Sequence, residues 1–360
     1  MRRRDRSIGR TGRPTSAVLA ACLLAAAGSA AAADEPAPAP GTPPAAPVAS
    51  ATTTPGVVPG DPTVGEVVVS APEPRYVAPT RRDQIGRVWA PVYINERGPY
   101  RLVLDTGASA SAITPRVAAA LGLAPDPEKT VHLFGVTGTA TVNAVRADSL
   151  RVGDLEMDSV MLPIVADAFG GAEGVLGNHG LRDKRITIDF RKDKISITRS
   201  KGERAGAGMI TIPVQITSQG LLVIPVKVGT ITTKAIIDTG GQATIGNLAL
   251  REKLEQQARM RDQRQDHVVG ATLDVQDATR VTTPAIGLGR ATITNARIAF
   301  GDMYIFDHWG MSREPTMLVG MDVLGLLDVL VIDYRRKELQ VLLRGAPEPF
   351  RGALGNFPLG

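Results

Sequence analysis

The chain has 360 residues, with 41 Lys and Arg against 36 Asp and Glu. Residues 1–33 hold six of the arginines and one acid, so the remainder carries 35 charges of each sign and gives no support to nucleic-acid binding. The single cysteine, Cys22, lies in that same segment; if the segment is removed, disulfides and thiol chemistry are both excluded.

Taken in chain order, Arg2, Arg3, Arg4, Arg6, Arg10 and Arg13 precede an Ala/Leu-rich run from Ala17 to Ala27. Ala31-Ala32-Ala33 then offers a small-residue cleavage site. This order predicts a secretory signal peptide over 1–33, and with it an exported protein of the bacterial periplasm or cell envelope. The apolar run is too short and too alanine-rich for a membrane span. Leu19-Ala20-Ala21-Cys22 also fits lipoprotein processing, which would tether the protein to a membrane through Cys22. The hydrophobic run continues past it through Leu23 and Leu24, and both processing routes stay open. Residues 34–83 are dominated by Ala, Pro, Thr and Gly and read as an extended linker, because such a segment buries too little apolar surface to offset its ordering entropy. Glu66–Val69 is its one candidate strand.

From residue 84 to 344 the pattern changes to short, β-branched runs separated by turn residues, which predicts a mostly β fold. The expected strands are Val88–Ile94, Arg101–Leu104, Ala140–Val145, Ile186–Ile188, Ile195–Ile197, Met209–Val214, Leu222–Val228 and Ala235–Ile237. Thr114-Pro115 predicts a helix start and Gly122 its end. Asn247 is expected to cap a longer, polar helix running through Gln265, with Leu250 and Leu254 on its buried side. Gly287-Leu288-Gly289 reads as a hairpin turn, and the Gly/Pro-rich residues 345–360 as a flexible tail.

The chain repeats itself. Leu102-Val103-Leu104-Asp105-Thr106-Gly107-Ala108, Gly174-Val175-Leu176-Gly177 and Ile186-Thr187-Ile188-Asp189-Phe190 recur, in the same order, as Ala235-Ile236-Ile237-Asp238-Thr239-Gly240-Gly241, Met317-Leu318-Val319-Gly320 and Leu330-Val331-Ile332-Asp333-Tyr334. The offsets are 133, 143 and 144 residues, a drift assigned to the longer polar helix and loops of the second copy. Three elements in register point to two homologous lobes, 84–204 and 205–344, related by a pseudo-two-fold axis.

Each Asp-Thr-Gly follows an apolar strand. Gly107 and Gly240 permit a tight turn and a close backbone approach, so that main-chain N–H groups reach the neighbouring carboxylate. Packed about the axis, Asp105 and Asp238 meet. Two adjacent carboxylates cannot both ionise, so they share a proton; one member serves as general base on a water and the other polarises the substrate. Thr106 and Thr239 are expected to donate across the junction and brace the pair. This chemistry calls for no cofactor and no metal.

Over roughly residues 85–344 the sequence resembles the retropepsin-like aspartic peptidases, the group that includes the retroviral proteases, and in its two-lobed single chain it also resembles pepsin. Val175-Leu176-Gly177 and Leu318-Val319-Gly320 match the apolar-apolar-Gly element that threads behind each Asp-Thr-Gly loop in that family. The resemblance implies a two-lobed aspartic-protease fold of duplicated retropepsin-like β-barrel halves, an endopeptidase acting on polypeptides, and activity nearer neutral than strongly acidic pH. It also implies a flap, a hairpin closing over the substrate, at Phe134-Gly135-Val136-Thr137-Gly138, with Val269-Gly270-Ala271-Thr272 as its degenerate counterpart. Two departures set the second loop apart. Gly241 stands where Ala or Ser is usual, and Ile245 follows Asp238 one residue sooner than Ile113 follows Asp105, so a looser loop is expected. On that ground the alternative reading is a weak or inactive peptide-binding module. One chain carries both carboxylates, so no oligomer is required.

Other features carry no site. His132, His179, His267 and His308 lack metal-ligand spacing, and no Gly-x-Ser-x-Gly supports a serine nucleophile. Asp189 and Asp333 read as structural partners of backbone or arginine. The aromatic stretch Asp302–Trp309 reads equally as a pocket wall or as a cover for the second lobe.

Overall fold

The computed structural model describes residues 78–79, 87–125, 130–166, 170–257 and 260–344. The leader, Cys22, the Glu66–Val69 strand and the tail lie outside the described residues. Three sheets account for nearly all the secondary structure. The first lobe is a seven-stranded sheet and the second a ten-stranded one. A six-stranded sheet takes strands from both halves, pairing Lys184–Asp189 antiparallel with Leu327–Asp333 so that Thr187 faces Val331. The backbone closes this pairing alike at both ends, Phe190 N donating to Asp328 O (2.9 Å) and Tyr334 N to Lys184 O (3.1 Å).

At the centre of the shared sheet Val329–Ile332 is apolar without a break, between Asp328 and Asp333. All seven residues of Leu327–Asp333 are buried, as a strand covered on both faces requires. Ile186, Ile188, Leu330 and Ile332 join one core cluster with Leu104 and Ile113 of the first lobe and Ile237 and Val319 of the second. A fully buried side chain of this size contributes about 1.5–3 kcal/mol, so the core that fixes the two lobes against each other is the same core that stabilises each.

Among the described residues four helices interrupt the sheets. α1, Pro115–Leu121, starts after Thr114 and stops at Gly122, whose φ of 71° lies in the left-handed region that glycine occupies without a steric penalty. α2 is Leu248–Gln256, capped by the Asn247 side chain, which accepts from Leu250 N; Leu250 and Leu254 are buried as the pattern required. α3 is Tyr304–His308 and α4 is Met321–Leu324.

The structure corrects the extent of α2. The polar stretch expected to prolong it is a strand, Arg261–Val269, paired antiparallel with Val275–Thr282. Its first five residues are exposed, so no period-two apolar alternation marks it. Pairing with a neighbour overrides the helical propensity of its Arg and Gln residues. Much of the second copy's extra length therefore sits elsewhere. Ile164 and Phe300 are equivalent by their parallel pairing to Ile113 and Gly246, and ten residues lead from Ile164 to Gly174 but seventeen from Phe300 to Met317. α3 occupies that insertion.

Candidate active site

Strand Arg97–Leu104 runs parallel to Gly174–Leu176, and Asp105 leaves its end with its own N–H bonded to Leu176 O (2.9 Å). Strand Ile231–Ile237 runs parallel to Thr316–Val319, and Asp238 N donates to Val319 O (3.1 Å). In each lobe the loop then turns back to lie antiparallel on the other side of the same short strand. Gly177 and Gly320 end those threaded strands where a Cβ would stand 2.5 Å from the Ala110 backbone and 2.6 Å from that of Ala243. No other residue fits there, which is the physical reason for the recurring glycine.

The carboxylates are buried and held alike. Asp105 Oδ1 accepts from Gly107 N (2.8 Å) and Ala108 N (2.9 Å). Asp238 Oδ1 accepts from Gly240 N (3.0 Å) and Gly241 N (2.9 Å). A Cβ on Gly240 would run into the Asp105 carboxyl, so the two loops approach as closely as main chain permits. Between them the threonines cross. Thr106 Oγ1 donates to Ile237 O (2.6 Å) and accepts from Thr239 N (3.2 Å), while Thr239 Oγ1 donates to Leu104 O (2.7 Å) and accepts from Thr106 N (3.1 Å). All four bonds span the junction, and both threonines are fully buried.

Burial raises the Asp105 carboxyl well above its ordinary value of 3.8, and the charge of Asp238 raises it further; the N–H groups of Gly107 and Ala108 offset only part of this. A hydrogen bond with the Asp238 side chain also favours the protonated form. The pair is thus built to carry a proton at pH values where an isolated aspartate would have lost it. Tyr334, buried beneath with its hydroxyl unpartnered, is pushed up by burial and by Asp105.

The second loop is not loose. Gly241 N makes the bond that Ala108 N makes, and Gly241 O accepts from Met321 N (2.8 Å) just as Ala108 O accepts from Asn178 N (2.8 Å). Nor is Ile245 displaced. Ala112 faces Val175 and Ile245 faces Leu318, each seven residues past its aspartate. The equivalent of Ile245 is therefore Ala112, not Ile113, and comparing isoleucine with isoleucine compared different positions. Ser111 and Thr244 were not singled out in the sequence. Their hydroxyls accept from Gly177 N (3.1 Å) and Gly320 N (3.2 Å), locking each loop to its threaded strand. Both stand six residues past an aspartate, a signal that aligning the two copies in full would have given.

Gly135, Val136, Thr137 and Gly138 form the tip of a hairpin between Thr130–Phe134 and Thr139–Val152, closed by Gly135 N to Gly138 O (2.8 Å). The counterpart at 270–273 is not degenerate. It tips a hairpin of full length, Arg261–Val269 with Val275–Thr282. The tips interlock: Thr137 Oγ1 donates to Asp274 O (2.8 Å) and accepts from Gly270 N (3.0 Å). Val136 packs into the second lobe's cluster with Ile236, Ile245 and Phe306, and Ala271 into the first lobe's with Trp89, Val103 and Val175. α3 holds the first tip down, since Ile305 N donates to Val136 O (3.2 Å) and His308 stacks on Phe134 at 4.3 Å. The aromatic stretch thus covers the second lobe and clamps the hairpin together.

Asp189 and Asp333 are structural partners of arginine, as their place in the strands suggested. Asp333 accepts from Ser200 Oγ and pairs with Arg185 (3.1 Å), and Asp189 pairs with Arg191 (3.0 Å). His132 bonds Thr141 and His267 bonds Asp277. Among the described residues no three of His, Cys, Asp and Glu gather where a metal ion could be held.

Compared with known proteins, residues 90–179 match the family described as aspartyl protease. The match runs through the Asp105 loop, the first hairpin and Gly177, and ends before the second lobe. No curated protein matches the chain.

Proposed function

We propose that the chain, which matches the aspartyl protease family over residues 90–179, is an endopeptidase in which Asp105 and Asp238 together activate a water against a peptide bond. The observation that carries this reading is the crossed junction. Two buried carboxylates sit in equivalent loops, each with two N–H donors on one oxygen, and share the proton that burial and mutual repulsion make costly to lose. In such a pair the ionised member takes a proton from the attacking water while the protonated member donates to the scissile carbonyl. Thr106 and Thr239 position the loops without touching the reacting atoms. The interlocked hairpins stand over the junction, so an extended polypeptide enters when they part and is shielded from water when they close. The substrates we propose are envelope or periplasmic proteins and peptides, in keeping with the leader read at residues 1–33 and the neutral remainder.

The test is cleavage of a diverse peptide library between pH 4 and 8 by the exported protein, with Asp105→Asn and Asp238→Asn alongside. The expected result is cleavage that falls by a factor of about 10²–10⁴ or more in either variant. Cleavage that survives either substitution sinks the dyad, and a folded protein that binds peptides but cuts none is a binding module.

A further inference from the structure

Beside the second catalytic loop lies a cavity of about 310 Å³ that the junction chemistry leaves unexplained. It is lined by Gln242, four residues past Asp238, and by Arg264, Asp266 and Arg280 of the second hairpin, together with Arg297 and Asp322. It lies between the Asp238 loop and the second hairpin.

The charge in this cavity is unbalanced. Arg280 is satisfied by Asp266 at 2.6 Å. Asp322 is taken up by Thr244, which donates to it from N (3.0 Å) and Oγ1 (2.7 Å). Arg264 and Arg297 have no carboxylate partner among the described residues. Arg264 also stands directly opposite Arg280 on the neighbouring strand, where like charges cost stability. Packing gives no reason for this arrangement; an anion would.

The first lobe supplies the control. Paired strands put Val131 at the position of Asp266, Ala144 at that of Arg280 and Met161 at that of Arg297. Val131 and Ala144 are buried in that lobe's apolar cluster and Met161 packs against it. At these three positions the first lobe is apolar and the second is charged.

We infer that the second-lobe cavity is a specificity subsite for an acidic side chain of the peptide substrate, bound by Arg264 and Arg297, with an apolar side chain taken on the first-lobe side. The inference rests on the peptidase reading for its substrate class. Arginine suits the task, because its planar fork matches a carboxylate in two parallel bonds.

The experiment scans Glu, Gln and Lys through each position of a cleaved or bound peptide, against the parent protein and an Arg264→Glu/Arg297→Glu variant. Both arginines are exposed, and a Tm no lower than the parent's will show that the variant folds. At one position the Glu peptide is expected to exceed its Gln partner in kcat/KM by roughly tenfold, and the variant to lose that preference or turn it toward Lys. Equal handling of Glu and Gln at every position overturns the inference, as does a preference the variant keeps. Anisotropy with labelled peptides on the Asp105→Asn protein separates the two readings. Acid-selective binding without turnover by the parent keeps the subsite and removes the peptidase. Turnover with no acid preference does the reverse, and a folded protein that binds no peptide overturns both.

Discussion

In the first lobe the wall beside the Asp105 loop is Val131, Ala144 and Met161; in the second the same positions hold Asp266, Arg280 and Arg297. A few residues away, the loops themselves differ hardly at all. Donor distances to the aspartates run from 2.8 to 3.0 Å in both lobes, and the threonine bonds across the junction from 2.6 to 3.2 Å. The contrast separates two kinds of constraint. Each loop is built against the other, so a change in one must be met by a change in its partner. Each wall faces its own hairpin and the space between, so it answers only to what it must touch.

The sharpest way to break the first half of that comparison is to remove one brace. Thr106→Ala and Thr239→Ala each delete a buried hydroxyl that donates to a carbonyl and accepts an N–H of the other lobe. Leaving such groups unsatisfied costs about 1–3 kcal/mol each. Calorimetry is expected to show two equal losses of Tm and, in the double variant, a loss that departs from their sum, because both hydroxyls close the same junction. Unequal losses would mean that the lobes do not bear equally on the junction.

How much of this was legible beforehand follows the same division. The Asp-Thr-Gly loops, Gly177 and Gly320 were readable because close backbone approach admits few residues, and the repeat displayed them twice. Asn247 as a cap, and Leu250 and Leu254 as a buried face, were readable from local chemistry. The second hairpin was not. Its Arg261–Asp266 run carries the marks of a solvated helix, and what makes it a strand is its pairing with residues up to 21 positions later. The cationic cavity was hidden for the same reason. Arg264, Arg280 and Arg297 are scattered in sequence, and only strand register gathers them. Ile245 and Ile113 match as side chains but not in structure, since the register puts Ala112 where Ile245 stands.

A smaller effect tests the electrostatics of the first loop. The raised Asp105 carboxyl binds a proton more tightly in the folded protein than in the unfolded chain. Its contribution to stability is therefore complete below the ordinary value of 3.8 and is lost as pH rises toward the folded value. Asp105→Asn keeps an oxygen for Gly107 N and Ala108 N while removing the titration. The variant is expected to exceed the parent in Tm at pH 7, with the gap closing toward pH 3.5, at about 2–4 °C for each kcal/mol relieved. A gap independent of pH would show that the carboxyl is not held protonated. Asp238→Asn in the same series tells whether the second loop carries a like penalty.

The smallest effect concerns the first position past each Asp-Thr-Gly, where the loops differ in sequence. Gly241 stands where the first lobe has Ala108, and both N–H groups reach their aspartate at 2.9 Å. Gly241 is not among the glycines with positive φ, so alanine adopts its backbone without strain. If the loops are interchangeable, Gly241→Ala leaves cleavage within about twofold and raises stability by about 0.4–1 kcal/mol, because alanine has less freedom to lose on folding. A steep fall in kcat/KM with Tm preserved would place the difference in the space above the loop rather than in its backbone. The substrate would then meet bare main chain at Gly241 and a methyl group at Ala108, and the asymmetry of the walls would extend down to the dyad itself.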